Sequence, residues 1–274
     1  MEKTGPIAVF DSGYGGLTVL NKIIQHLPNY DYIYLGDNAR TPYGTRSFEV
    51  VYEYTLEAVK KLFEMGAHLV ILACNTASAK ALRNIQQKDL PGIDPERRVL
   101  GVIRPSVEVI DQISHTKHVG IFGTMGTVQS ESYSIEINKM YPHVSVTQEA
   151  CPMWVPLVEN NEFTNMGADY FVKQHVNNLL TKDPNIDSLI LGCTHYPLLS
   201  DKIRKYLPKG IRLVEQGDIV GDSLKDYLKR HVEMERKCSK GGKVNFYTTE
   251  QVSKFKQTAG IFFQGDLNVA HISL

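Results

Sequence analysis

Leu69-Val-Ile-Leu-Ala-Cys-Asn-Thr-Ala-Ser78 and Ser188-Leu-Ile-Leu-Gly-Cys-Thr-His-Tyr-Pro197 decide how this chain is read. Each is a short apolar run, one small residue, a cysteine, and then hydrogen-bonding side chains. Runs this short and this rich in Leu, Ile and Val read as strands buried on both faces of a parallel sheet. In such sheets ligands sit beyond the carboxyl ends of the strands. Cys74 and Cys193 therefore both fall where chemistry is expected. The remaining chain reads as the scaffold that brings two thiols to one cavity.

Outward from these stretches, strand and helix signals alternate. Ile7–Phe10 is a strand that runs into Asp11-Ser-Gly-Tyr-Gly-Gly-Leu-Thr18, a glycine-rich turn before a helix carrying Leu17, Leu20, Ile23, Ile24 and Leu27. Glycines there let backbone N–H groups approach an anion, but the G-x-G-G spacing does not match a dinucleotide fingerprint. A strand at 31–35, a polar loop from Gly36 to Thr45, a helix at 47–65 ended by Gly66, and the first cysteine strand follow. A helix from Ser78 to Gln87, a loop at 90–95 and a strand at 99–103 come next. The pattern then restarts at His118-Val-Gly-Ile-Phe-Gly-Thr-Met-Gly126. A helix at 130–140, a strand at 144–148, a loop at 151–159, a helix at 168–180 and the second cysteine strand complete the second series. A helix at 199–207, a strand at 211–215, a helix at 218–230, a solvated basic turn at 237–243 and strands at 244–248 and 268–273 close the chain.

The matched order of elements implies an internal duplication. The expected fold is α/β, with two pseudo-symmetric lobes, each a mostly parallel sheet flanked by helices, and the active site between them. The first lobe is expected near 1–100 plus 213–274 and the second near 101–212, with hinge motion admitting substrate.

The chain has 274 residues, with 30 Lys plus Arg against 30 Asp plus Glu. That balance gives no electrostatic reason for a nucleic-acid or anionic-membrane partner. The first residues carry too short an apolar run for a signal peptide, and no stretch reaches the ~18 apolar residues of a membrane span. A cytoplasmic protein is expected. The four cysteines, Cys74, Cys151, Cys193 and Cys238, form no C-x-x-C pair, so zinc ribbons and thioredoxin-type sites are not expected and the thiols read as free.

Two thiols at equivalent strand ends can place one acid/base on each face of a planar intermediate, which is what inverting a carbon beside a carboxylate requires. Each cysteine begins a turn into a helix, an arrangement expected to favour thiolate. Asp11 and His195 are candidates to move protons onto and off the sulfurs.

The residues that carry this chemistry resemble those of the glutamate racemases in the cofactor-independent aspartate/glutamate racemase superfamily. The resemblance rests on Asp11-Ser-Gly-Tyr-Gly-Gly-Leu-Thr18, Gly36-Asp-Asn-Ala-Arg-Thr-Pro-Tyr-Gly44, Ala73-Cys-Asn-Thr-Ala-Ser78, Cys151-Pro-Met-Trp-Val-Pro-Leu-Val-Glu159 and Gly192-Cys-Thr-His-Tyr-Pro197, in the family's order. It implies interconversion of L- and D-glutamate, with D-glutamate supplied to peptidoglycan and no metal or pyridoxal phosphate. It carries over Cys74 and Cys193 as the two acid/bases, with the first acting on D-glutamate and the second on L-glutamate. Asp11, Glu159 and His195 carry over as assisting groups. Ser12, Tyr43, Gly44, Asn75, Thr76, Thr124, Thr194 and His195, with Asp11, carry over as substrate contacts. A small-molecule substrate and a homo-oligomer, a dimer, are the expected partners. Nothing is carried onto the basic turn or the tail after it.

Plainer readings stand beside these. One strand-end cysteine alone is usually a small core residue; two in matched contexts are not so easily explained. Cys151 in a loop and Cys238 in a basic turn keep the plain reading. Asp11 can be a helix cap, Glu159 a surface carboxylate, His195 a turn former, and Tyr43 and Trp154 packing residues. Other functions remain: an aspartate or hydantoin racemase, a non-catalytic two-lobe anion-binding protein, or a cysteine hydrolase. The hydrolase needs a base oriented by a third group, and His195 lies only two residues from Cys193.

Overall fold

In the computed structural model, residues 4–274 are described; the first three positions of the expected N-terminal lobe lie outside the described residues. Strands β1 (Ile7–Asp11), β2 (Tyr32–Gly36), β3 (Leu69–Leu72), β4 (Arg98–Gly101), β5 (His118–Gly123), β6 (Ser145–Ala150), β7 (Ser188–Gly192), β8 (Arg212–Val214), β9 (Val244–Thr248) and β10 (Val269–His271) form two sheets. The first has the order β10-β9-β2-β1-β3-β4 and the second β6-β5-β7-β8. Every pairing in both is parallel. The central strands β1, β2, β3 and β7 are buried along their whole length, as continuous apolar runs in a parallel sheet must be.

The duplication is visible in the topology. β1 pairs with β2 on one side and β3 on the other, and β5 pairs with β6 and β7 in the same way. β4 then flanks β3 as β8 flanks β7. Cys74 and Cys193 follow the two equivalent strands, β3 and β7. β8 belongs to the second sheet, so the expected boundary at 212/213 falls within a strand. The tail returns to the first sheet, where β9 pairs with β2.

Helices cover the sheets with their apolar faces. Gly16–His26 buries Leu17, Val19, Leu20 and Ile23 at helical spacing, and Gln216–Arg230 lies against it. The approach is close: a Cβ at Gly221 would stand 2.7 Å from the His26 ring. His26 bonds Asp218 and Asp222, and Lys22 pairs with Asp218 across the same seam. Phe48–Glu64 begins at Ser47, whose hydroxyl accepts from Val50 N–H, and stops at Gly66 with φ +95°.

Several local expectations need correction. The stretch 151–159 is not all loop: Trp154–Glu159 is a helix. Trp154 and Val158 sit one turn apart and are buried, while Pro156 falls in the first turn, where its missing N–H leaves no helical bond unmade. Leu90–Ile93 is likewise a helical turn inside the expected loop. The helix expected from Ser78 begins at Asn75, directly after Cys74, breaks at Ala81 and passes into a π turn at Ile85–Asp89. The strand expected at 99–103 ends at Gly101, and Ile103 opens a helix. Val252–Ala259 is a further helix, held by buried Phe255 and Ala259. The basic turn is not simply solvated: Cys238 is buried, and Lys237 pairs with Glu96. No helix among the described residues is long and apolar enough to cross a membrane.

Trp154 anchors the second sheet. Its ring meets Phe122 and Tyr196 edge-on, each with centroids 4.8 Å away, and it is fully buried. Trp154→Ala should therefore cost about 3–5 kcal/mol, the usual loss for a buried indole, read as a lower urea-unfolding midpoint.

Candidate active site

Both cysteines sit where a strand ends and a turn begins. Cys74 caps the helix Asn75–Lys80, with its sulfur accepting from Ala77 N–H at 3.4 Å and its thiol donating to Ser12 Oγ at 3.5 Å. The expected thiolate-favouring effect of this cap is outweighed. Burial pushes the Cys74 thiol up to about 12, and the nearby Asp11 adds to the rise against the opposing bonds from Ser12 and Ala77. Cys74 is therefore a protonated thiol at neutral pH, hydrogen-bonded to the Ser12 hydroxyl.

Cys193 stands in different company. Its sulfur is 3.9 Å from His195 Nδ1, and His195 Nε2 is 3.0 Å from Glu159 Oε1. Burial works against a charge on His195, but the bonds to Cys193 and Glu159 outweigh it and lift the imidazole to about 10. A protonated His195 thus lies between a sulfur and a carboxylate, able to pass a proton to Cys193 and take it back. Phe262, from the C-terminal segment, covers the His195 ring edge-on at 5.4 Å.

The cavity between these thiols has a volume of about 80 Å³. That suits a small molecule. Of the residues singled out in the sequence, Ser12, Tyr43, Gly44, Cys74, Asn75, Thr76, Thr124, Cys193, Thr194 and His195 line it. Asp11 and Glu159 do not. Asp11 is fully buried at the end of β1, accepts from Gly13 N–H at 3.0 Å and from the Thr194 hydroxyl at 3.4 Å, and has its carboxyl pushed up by burial. Glu159 stands behind His195. The hydroxyl of Tyr43 is committed to Asp37 at 2.5 Å. Thr76 and Thr124, from the two halves, meet at 2.9 Å.

Sequence reasoning missed Thr41, Pro42, Thr45, Met125, Cys151, Pro152, Val155 and Pro156, which also line the cavity. The polar loop at 36–45 and the Cys-Pro start at 151 were both visible; what was not visible is that they curl over the same space. Cys151 in particular is a wall of the cavity, fully buried, with its thiol directed at Glu149 C=O. No Lys or Arg is among the lining residues. Arg40, the one Lys or Arg in the motifs, is held outside by Asp37 and Glu57. All four cysteines are free, and no three His, Cys, Asp or Glu among the described residues group to hold a metal ion.

One approach between the halves tolerates no side chain. A Cβ at Gly15 would lie 2.3 Å from Thr194 Oγ1 and 2.4 Å from His195 Nδ1. The glycine-rich turn after β1 is thereby fitted to the turn after β7.

Comparison with known proteins agrees with this geometry. Residues 11–220 match the family model described as Asp/Glu/Hydantoin racemase. The chain belongs to that family. A glutamate racemase from a Ruegeria species is 38% identical over 271 residues, covering 95% of this chain and 97% of its own. A crystal structure of a glutamate racemase isoform from Bacillus anthracis superposes with a TM-score of 0.90 at 33% identity, covering 100% of this chain and 99% of its own. One from Francisella tularensis, in complex with D-glutamate, gives 0.86 at 31%, covering 98% and 97%.

The histidine provides a pH test. Its affinity for the proton rises on folding, from the ordinary 6.5 to about 10. Its contribution to stability is therefore fully present below about 6.5 and is lost as pH rises through about 10. Urea-unfolding midpoints of the wild type should fall across that window. His195→Asn should remove that part of the slope; an unchanged slope would mean that His195 holds no extra proton.

Proposed function

We propose that this chain is a glutamate racemase that inverts the α-carbon with two thiols, one on each face. The observation that carries the reading is that Cys74 and Cys193 follow equivalent strands of duplicated sheets and line one cavity. One sulfur takes the α-proton and leaves a planar carbanion; the other delivers a proton to the opposite face. The two carboxylates of the substrate are held by neutral donors from Ser12, Asn75, Thr76, Thr124 and Thr194, each bond strengthened by the ionised partner. His195, backed by Glu159, exchanges protons with Cys193, and Ser12 orients the Cys74 thiol by a hydrogen bond. Asp11, which reaches the site through Thr194, acts as an assisting group. In this reading Cys193 takes the α-proton of L-glutamate and Cys74 that of D-glutamate, as the family resemblance implies.

The two lobes run near 1–100 with the C-terminal segment, and near 101–214, and substrate enters as they part. The product D-glutamate is supplied to peptidoglycan, in the cytoplasm, by a dimer. A cysteine hydrolase has one observation in its favour: Glu159 orients His195 as the third group of a triad would. It leaves Cys74 without work, and acyl-enzyme trapping separates the two readings.

Circular dichroism of L- and D-glutamate should decay to zero with enzyme, while aspartate and hydantoins hold their signals. Decay of aspartate with glutamate constant would move the substrate assignment. Cys74→Ala and Cys193→Ala should each lower turnover on the order of 10²–10⁴-fold, and Cys238→Ala, remote from the cavity, should leave it nearly intact.

In heavy water, early product should carry deuterium at the α-carbon while unreacted substrate stays almost unlabelled. Two monoprotic bases keep the abstracted proton on one sulfur and deliver a solvent-derived one from the other. Product that retains the substrate's own hydrogen would require a single base.

A further inference from the structure

Behind the cavity wall lies a closed ring of hydrogen bonds that the sequence did not announce. Asn75 Nδ2 donates to Gln216 Oε1 at 2.7 Å, Gln216 Nε2 donates to the Tyr133 hydroxyl at 2.8 Å, and Tyr133 donates to Asn75 Oδ1 at 2.8 Å. All three side chains are buried. The other Gln216 N–H is shared between Ser106 Oγ at 2.7 Å and Val102 C=O at 3.2 Å, and the Ser106 hydroxyl donates to the same carbonyl. A carbonyl only accepts, so the Gln216 atom that faces Val102 is Nε2 and not Oε1, and the direction of every bond in the ring is set.

The ring has one consequence for the cavity. Rotating the Asn75 amide by half a turn would set its oxygen against Gln216 Oε1, two acceptors face to face in a buried site. One Asn75 N–H and its oxygen are thus fixed, and the remaining N–H belongs to a residue that lines the cavity. The three members come from different parts of the fold: Asn75 follows β3 of the first sheet, Tyr133 lies on the helix Ser132–Met140 after β5, and Gln216 opens the helix after β8 of the second sheet. The donor is aimed only while these elements are docked.

We infer that Gln216 is a positioning residue, which through Asn75 and Tyr133 aims one amide N–H at a substrate carboxylate. The inference rests on the racemase reading for the identity of that carboxylate. A donor that meets the carboxylate equally in ground and transition states affects KM and spares kcat. Gln216→Leu should raise KM for glutamate roughly tenfold, the worth of a hydrogen bond to a charged group, with kcat within about threefold. Tyr133→Phe, which removes one hydroxyl and keeps the ring in the core, should give the same split. The double variant should be no worse than the worse single one, because each breaks the same ring.

Proton NMR of the Asn75 side-chain amide, assigned through Asn75→Asp, gives a readout that does not depend on turnover. Its hydrogen-bonded proton should shift in both variants. Unchanged KM in both variants of an enzyme that racemises glutamate overturns the inference and spares the racemase reading. A wild type inert toward glutamate overturns that reading instead. The Asn75 amide then decides the ring by itself: a shift in Tyr133→Phe supports it, and an unmoved signal overturns it.

Discussion

The turn after β1 and the turn after β7 touch with no space for a side chain between them. Gly15 brings its backbone against the Thr194 hydroxyl and the His195 ring, and the Thr18 hydroxyl is shared between Gly15 C=O at 2.8 Å and Thr194 C=O at 3.1 Å. Thr194 in turn reaches the buried Asp11 at the end of β1. The placement of Cys193 and its histidine relative to Ser12 and Cys74 follows from this junction, because each sulfur is carried by the strand end on its own side. A packed interface of this kind has discrete arrangements and does not deform smoothly, so the two thiols share a cavity of one size and shape when the halves are together.

The sheets were legible because burial on both faces leaves a local signature. Leu69–Leu72 and Ser188–Gly192 are apolar at nearly every position, and a cysteine follows each within two residues, so the strands and the chemistry announced themselves together. Trp154–Glu159 was not legible, since two prolines within five residues masked a turn whose only helical evidence is one buried i, i+4 pair. Glu159 was found only through the family resemblance, because nothing local says that its carboxylate lies 3.0 Å from a histidine 36 positions on. Gln216 gave no signal: its partners come from three other segments, and it lies just after a three-residue strand. Phe262 and Cys151 were hidden for the same reason, that a wall is made by chain segments meeting and not by any one of them.

The protonation of Cys74 shows the limit of reading chemistry from a local motif. A cysteine at a helix start next to small residues suggests an activated thiolate. In the folded protein the desolvation of the sulfur and the charge of Asp11 dominate over one N–H and one hydroxyl. Cys193, on the matching strand, faces an imidazole that burial alone would have discharged and that a sulfur and a carboxylate keep charged. Duplicated strands therefore do not carry duplicated environments. The first half supplies a hydroxyl as the companion of its thiol, and the second half supplies a histidine backed by a glutamate.

That asymmetry meets a thermodynamic boundary. Mirror-image substrates have equal free energies in water, so the equilibrium constant of a racemisation is one. The ratio kcat/KM is then forced to be the same for the two enantiomers, however unlike the two flanks of the cavity are. What the unequal companions of the two sulfurs are free to do is to divide that common ratio differently, giving one enantiomer tighter binding with slower turnover and the other weaker binding with faster turnover. A nearly two-fold scaffold with unequal dressing cannot favour one hand of the product, but it can set the concentration at which each direction saturates.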